Sequence, residues 1–298
     1  MRALVTGAGG FLGRHVVARL AEAGISVVTL GRGDPADAVP GRAYRIADLG
    51  DEAAVAAVLR EAAPDLVFHL AGTAAAEPLE ETYRVNVLFA ARLLAAARRL
   101  PAPPRILLAG SAAEYGPMDE AQLPVSETAA CQPVSVYGIT KLAQTLHGLA
   151  AAPDLPVVVA RLFNVIGGGM PGHLALGAFA AQIRAMPATG GVLRTGPLAR
   201  ERDFVEAVPT ATLLLDLLRD SRAEGRVVNI CSGRPTSLAD LTAALVRAAG
   251  RPVEVQEAAG RVGNSDMIRH WGSAALLESW GYRLAPPDAD RVAAMLLG

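Results

Sequence analysis

With 298 residues, 52% of them hydrophobic, the chain can bury a sizeable core, which excludes global disorder and allows one large domain or two smaller ones. Its 28 basic and 29 acidic residues are scattered and leave a formal charge of −1, so bulk electrostatics give it no hold on nucleic acid or an anionic membrane. Two widely separated cysteines, Cys131 and Cys231, in apolar or small-residue surroundings suit free thiols. With an apolar strand-like run directly after Met1, they point to a cytoplasmic protein.

Short apolar runs alternate with helical-period segments from the start. Arg2–Thr6, Ser26–Leu30, Tyr44–Ile46, Leu66–Leu70 and Ile106–Ala109 read as strands, with Phe11–Ala23, Glu52–Ala62 and Leu88–Arg99 as helices among them. Val136–Ala151 reads as the next helix and Pro156–Phe163 as the next strand. LVFHL and RILLA show no alternation, as expected of strands buried on both faces. The series predicts an α/β protein with a parallel sheet between helices. After Asn164 a glycine-rich stretch and turns around Pro197, Pro235, Pro252 and Pro286 dilute the pattern, and Arg226–Ile230 reads as one strand returning to the sheet. These breaks predict a first domain of 1–163 and 202–232 and a smaller lobe of 164–201 and 233–298.

The first strand runs straight into TGAGGFLGRHVV. Gly7, Gly10 and Gly13, between a strand and an amphipathic helix, suit a tight turn that brings backbone N–H groups and the helix N-terminus to a pyrophosphate. Gly7, Gly10, Phe11, Leu12 and Gly13 are therefore candidate dinucleotide-binding residues. At the end of the second strand, in VVTLGRG, Gly31 stands where an acid would hold a ribose 2′-hydroxyl and Arg32 follows, which favours NADP and leaves NAD as the alternative. Asp48, with the Leu49 backbone, suits the adenine, and in HLAG the small Ala71 and Gly72, after Leu70, stand where a cofactor must pass near the backbone, which makes all three candidate cofactor-binding residues.

With these stations in order, followed by YRVNV, GSAAEYG, VYGITK, RLFNVIG, RDFVEA and NICSG, the chain resembles the extended short-chain dehydrogenase/reductase family of nucleotide-sugar epimerases, dehydratases and reductases. The resemblance implies a Rossmann-type doubly wound parallel sheet with a smaller C-terminal substrate-binding lobe, a nucleotide-sugar substrate and a homodimer. By spacing alone, Tyr137 and Lys141 would be an ordinary i, i+4 helix pair. By resemblance they are reagents: Tyr137 moves a proton at a substrate oxygen, Lys141 lowers the tyrosine pKa from about 10 and touches the nicotinamide ribose, and Ser111 polarises that oxygen. Lys141 is the one lysine in the chain.

Reaction type is read from GSAAEYG. Relatives that dehydrate at C5 and C6 resemble S/T-D-E-x-Y-G, and Ala112 and Ala113 here cannot move protons. An epimerase-reductase would need a cysteine at position 113. Simple redox at one carbon remains, and RLFNVIGGGMP and ARERDFVEA most resemble the GDP-4-keto-6-deoxy-D-mannose reductases. The expected activity is NADPH-dependent reduction of a nucleotide-linked 4-keto-6-deoxyhexose; the alternatives are an NAD-dependent 4-epimerase and a non-catalytic dinucleotide sensor on the same fold. The resemblance assigns Asn164, Arg202 and Arg261 to the sugar nucleotide, with the arginines on its diphosphate, and Glu114 reads as a surface or sugar-hydroxyl contact. Glu206–Thr210 and TAAAEP depart from the family pattern. The five histidines show no metal-ligand spacing, and His69, inside an apolar strand, reads as core.

Overall fold

The computed structural model describes residues 1–32, 42–46, 48–74, 78–258 and 268–298. Strand β1 (Arg2–Thr6), strand β2 (Ser26–Gly31), strand β3 (Arg42–Arg45), strand β4 (Leu66–His69), strand β5 (Arg105–Ser111) and strand β6 (Val157–Leu162) join the strand Arg226–Ile230 in a seven-stranded parallel sheet. From one edge the order is Arg226–Ile230, β6, β5, β4, β1, β2, β3. The order reverses between β1 and β4, the point where ligands bind in doubly wound sheets. Registers such as Thr6 opposite both Leu30 and His69 bring the C-terminal ends of β1, β2 and β4 level.

The sheet is flanked by α1 (Phe11–Glu22), α2 (Glu52–Ala62), α3 (Leu79–Tyr83), α4 (Phe89–Arg98) and α5 (Val136–Ala151); α1, α2 and α4 bury apolar stripes, whereas α5 buries a face of small and polar residues such as Gly138, Thr140 and Gln144. Leu4, Val67, Leu59, Phe89, Leu93 and Ile106 are among the fully buried side chains of its core. Two helices begin where side chains cap them, α2 at Asp51, which accepts from the Ala54 amide, and α5 at Ser135, which accepts from the Gly138 amide.

Three sequence expectations are corrected. The third strand spans Arg42–Arg45 rather than Tyr44–Ile46, because its ladder with β2 begins at Val28 opposite Arg42. The helix expected from Leu88 starts at Leu79 and continues through a π-helical turn, Arg84–Leu88, into α4. The expected domain limits also shift: one compact unit comprises 1–116, 127–162 and 210–229, the other 117–126, 163–209 and 230–298. Residues 202–209 fall in the second unit because Phe204–Glu206 pairs with Asn164–Ile166.

In the second unit the helices Ala175–Ala185, Leu238–Ala248 and Ala289–Leu297 enclose a core of Leu176, Phe179, Ile183, Leu241, Leu245, Val292 and Leu296. The same unit carries two pairs of short strands and one set of three. Among the described residues no helix is long and apolar enough to cross a membrane, and no group of His, Cys, Asp and Glu is arranged to hold a metal.

Candidate active site

The loop from β1 to α1 has the form a dinucleotide needs. Gly7 takes φ +71°, and a Cβ there would stand 2.7 Å from the Ala71 amide nitrogen, so the loop can press against the segment after β4 only as glycine. Thr6 joins the same two segments, its Oγ1 accepting from the Ala71 amide at 3.2 Å and lying 2.9 Å from His69 Nδ1. Helix α1 starts at Gly10 with no side-chain cap and no acid in its first turn, leaving its N-terminal N–H groups for an anion. Phe11 and Leu12 lie partly exposed in that first turn. The cradle therefore fits a pyrophosphate.

The adenosine stations lie at neighbouring strand ends. Asp48 Oδ1 accepts from the Gly50 amide at 2.7 Å, and the Leu49 side chain is packed in the core, so only its backbone can meet a ligand. Arg32, just past β2, is half exposed and paired with Glu81 of α3, a partner the sequence did not reveal. Leu70 and Gly72 flank Ala71, and a Cβ on Gly72 would lie 3.8 Å from Lys141 Nζ. Asn86, buried in the π-helical turn, clamps this loop: its Oδ1 accepts from Thr73 N at 2.8 Å while Nδ2 donates to Thr73 O and Thr140 Oγ1. The YRVNV block contained that residue without disclosing its task. A π turn is a frequent mark of function.

Ser111 ends β5 and caps the short turn Ala112–Glu114: its Oγ accepts from Ala113 N at 3.2 Å and its amide donates to Glu114 Oε1 at 2.7 Å. Helix α5 packs on this turn so closely that a Cβ on Gly138 would lie 2.5 Å from Ala113 O. Glycine after Tyr137 thus lets the tyrosine reach Ser111, whose hydrogen bond favours the phenolate. Burial outweighs that bond and pushes the Tyr137 phenol up, with Glu114 adding to the shift.

Lys141, one turn on, is 3% exposed and donates to Gln144 Oε1 at 2.7 Å, and Gln144 Nε2 donates to Ala109 O. Burial brings the Lys141 ammonium down to about 8, against the opposing pull of Glu114. Lys141 is turned to Gln144 here, and the shift of the Tyr137 phenol follows from its own burial, Ser111 and Glu114.

The reading of Glu114 is corrected. It is not at the surface: its exposure is 0%, and its carboxylate accepts from the Ser111 amide, Thr145 Oγ1 and Arg161 Nε and Nη2, the last at 2.8 Å. Arg161 in turn stacks over Tyr115, 4.4 Å from its centroid. Taking a carboxylate out of water requires such compensation, so Glu114 supports the Ser111 turn and presents no free oxygen to a sugar. His69 is buried as expected, and burial lowers it to about 3, with Lys141 adding to the effect.

In the second unit Asn164 and Arg202 flank one buried carboxylate. Asn164 Nδ2 donates to the Asp203 carbonyl at 2.9 Å, and Arg202 Nη1 donates to the carbonyls of Glu201 and Ile268. Asp203, 0% exposed, accepts from Ser232 N and Oγ and from Gly233 N. Burial pushes it up to about 6 despite those bonds. Arg261 lies outside the described residues.

A parallel sheet with a phosphate cradle at its switch point and a serine, a tyrosine and a buried lysine at the neighbouring strand ends defines a nicotinamide-dinucleotide-dependent enzyme. Residues 3–231 match the model of the NAD dependent epimerase/dehydratase family, and the chain belongs to that family, whose members are NAD(P)-dependent enzymes modifying nucleotide sugars. It is 36% identical over 264 residues to dTDP-6-deoxy-L-talose 4-dehydrogenase (NAD(P)(+)) of Kitasatospora kifunensis, covering 86% of this chain and 81% of that protein. It is 31% identical over 287 residues to GDP-6-deoxy-D-mannose reductase of Pseudomonas aeruginosa, covering 93% of this chain and 89% of that one. The solved structure of RMD from Pseudomonas aeruginosa complexed with NADPH superposes with a TM-score of 0.82 at 27% identity, over 99% of this chain and 97% of that chain.

Proposed function

We propose that the protein reduces the 4-keto group of a nucleotide-linked 4-keto-6-deoxyhexose with NADPH. When bound, the reduced nicotinamide supplies the hydride, which goes to C4. Tyr137 gives its phenolic proton to the C4 oxygen, so the ketone becomes a secondary alcohol and the tyrosine is reprotonated from solvent. Ser111, its Oγ already accepting from the Ala113 amide, keeps its own proton to donate to the same oxygen. Lys141 holds the nicotinamide ribose and offsets charge left on Tyr137. Gly7, Gly10 and Gly13, with Phe11 and Leu12, take the pyrophosphate; Asp48 and Leu49 take the adenine; Arg32 takes the 2′-phosphate. Asn164, Arg202 and Arg261 bind the sugar nucleotide, Arg202 and Arg261 at the diphosphate.

The observation that carries this reading is the turn after β5. Ala112 and Ala113 have no proton to move, and Glu114 is occupied by its own chain's donors, so that turn offers nothing for chemistry at C5 or C6. The two curated relatives named above, a 4-dehydrogenase and a reductase of 6-deoxyhexose nucleotides, support the same class of substrate.

The test is to supply GDP- and dTDP-linked 4-keto-6-deoxyhexoses with NADPH in deuterated water. The expected result is one NADPH oxidised per product and no deuterium at C3 or C5. Deuterium at either carbon restores epimerase-reductase chemistry, and turnover of a sugar nucleotide lacking a keto group without net cofactor use makes the protein a 4-epimerase.

A further inference from the structure

Gly31 leaves the end of β2 without the acid that would accept a ribose 2′-hydroxyl, and among the described residues a Cβ there would meet nothing within 4 Å. The carboxylate arrives from elsewhere. Glu81, on α3, forms an ion pair with Arg32, the cation assigned to the 2′-phosphate, and lies 3.7 Å from Arg84 Nε. Arg84 Nη1 lies 3.8 Å from Asp48 Oδ1, and Arg45 Nε donates to the Arg32 carbonyl at 3.0 Å. Three arginines and two carboxylates thus ring the place where the adenosine ribose is expected. Arg32 and Glu81 keep 50% and 21% of their side chains exposed, so both can exchange partners with a ligand.

We infer that Glu81 determines which dinucleotide the site prefers, an inference that rests on Arg32 as the 2′-phosphate ligand. A 2′-phosphate brings about two negative charges and acceptor oxygens suited to a guanidinium fork, so it draws Arg32 away from Glu81 and leaves that carboxylate facing an anion. A 2′-hydroxyl is a donor, and Glu81 is the acceptor that completes it while Arg32 stays paired. The same ion pair therefore serves both cofactors, and Glu81 disfavours NADPH as it favours NADH. One residue on a helix after β4 takes over the selectivity that β2 lacks.

The test is direct titration of the full chain with NADPH and with NADH, followed by nucleotide fluorescence with no sugar present. Glu81→Gln keeps the shape and removes the charge, and a half-exposed pair contributes too little to folding for its loss to unfold the protein, which a thermal melt checks. Loss of repulsion against a phosphate is expected to tighten NADPH about fivefold and to weaken NADH about threefold, with the NADPH gain shrinking in high salt. Arg32→Ala is expected to weaken NADPH alone by about tenfold or more, and Glu81→Gln on that background to recover part of that loss, because the unpaired Glu81 carboxylate no longer repels the 2′-phosphate. An unchanged NADPH to NADH ratio in Glu81→Gln while Arg32→Ala still weakens NADPH selectively overturns the role of Glu81 and leaves the Arg32 assignment standing. Equal effects of Arg32→Ala on both nucleotides overturn both.

Discussion

Tyr137 and Lys141 share one face of α5 but meet different surroundings, and their substitutions should separate accordingly. Tyr137→Phe removes only the phenolic oxygen. It should lower kcat by about a hundredfold or more, the scale of a lost general acid, with NADPH affinity within about twofold of the parent. Steady-state kinetics beside a binding titration check this, and retention of a tenth of kcat would remove Tyr137 from its role. Lys141 sits near a folded pKa of about 8, below its ordinary 10.5, so its charge is lost as pH rises through about 8. NADPH affinity should weaken between pH 7 and 9, and Lys141→Met should bind weakly at every pH with this dependence gone. A parallel pH profile in the variant would rule the lysine out as the titrating group.

The turn Ala112–Glu114 and the start of α5 act as a pair of interlocked elements. A methyl on Gly138 would lie 2.5 Å from Ala113 O, so Gly138→Ala must push helix and turn apart, at about 1–3 kcal/mol in urea unfolding and with a larger loss in kcat than in NADPH affinity. Beneath them the Arg161–Glu114 pair, 3% and 0% exposed, is costly to break. Glu114→Gln should destabilise by about 3–5 kcal/mol, and Glu114→Gln with Arg161→Met should recover much of that, because the uncompensated charge goes with its partner. If the double variant is as unstable as the sum of its singles, the pair is not coupled as the geometry requires. These elements also show what was legible beforehand. Glu52–Ala62 and Val136–Ala151 are legible to the residue because the helical period of their apolar residues is local, whereas the π turn at Arg84–Leu88 has no local signal and shows only as Asn86 reaches Thr73 and Thr140.

Stability against acid is a property of groups spread through the chain. His69 and His270 are held by burial at about 3 and about 4, below their ordinary 6.5, so the unfolded chain takes up their protons first and stability falls as pH drops below about 6.5. Asp203, raised from 3.8 to about 6, acts in the opposite sense over that window, since there the folded state binds the proton. Two groups against one leave a net loss on the order of 1.4 kcal/mol per pH unit between about 4 and 6. The melting temperature should therefore be lower at pH 5 than at pH 7.5, and a melt insensitive to this change would contradict the balance. Association is the other global property. Val136, Ile139 and Leu146 form an exposed apolar stripe on α5, the last 57% exposed, which supports the proposed homodimer. Light scattering should find two chains, and Leu146→Glu one; a parent that is already monomeric would dismiss the proposal.

The order of the first strands and helices, the phosphate cradle, the adjacency of Tyr137 and Lys141, and the absence of proton-moving groups at Ala112 and Ala113 follow from the amino-acid order alone. Each is a local pattern, set by neighbours within a turn or two of helix or along one strand. Other features depend on partners far apart in the chain and emerge only on folding: Glu114 lies buried against Arg161, 47 positions on, instead of facing a sugar, and Arg32 is joined by Glu81, 49 positions on. A carboxylate carries the same charge at the surface or in the core, and nothing within its own segment says which cation will approach it. That choice is made when β5 and β6, or β2 and the helix after β4, are brought side by side by the sheet.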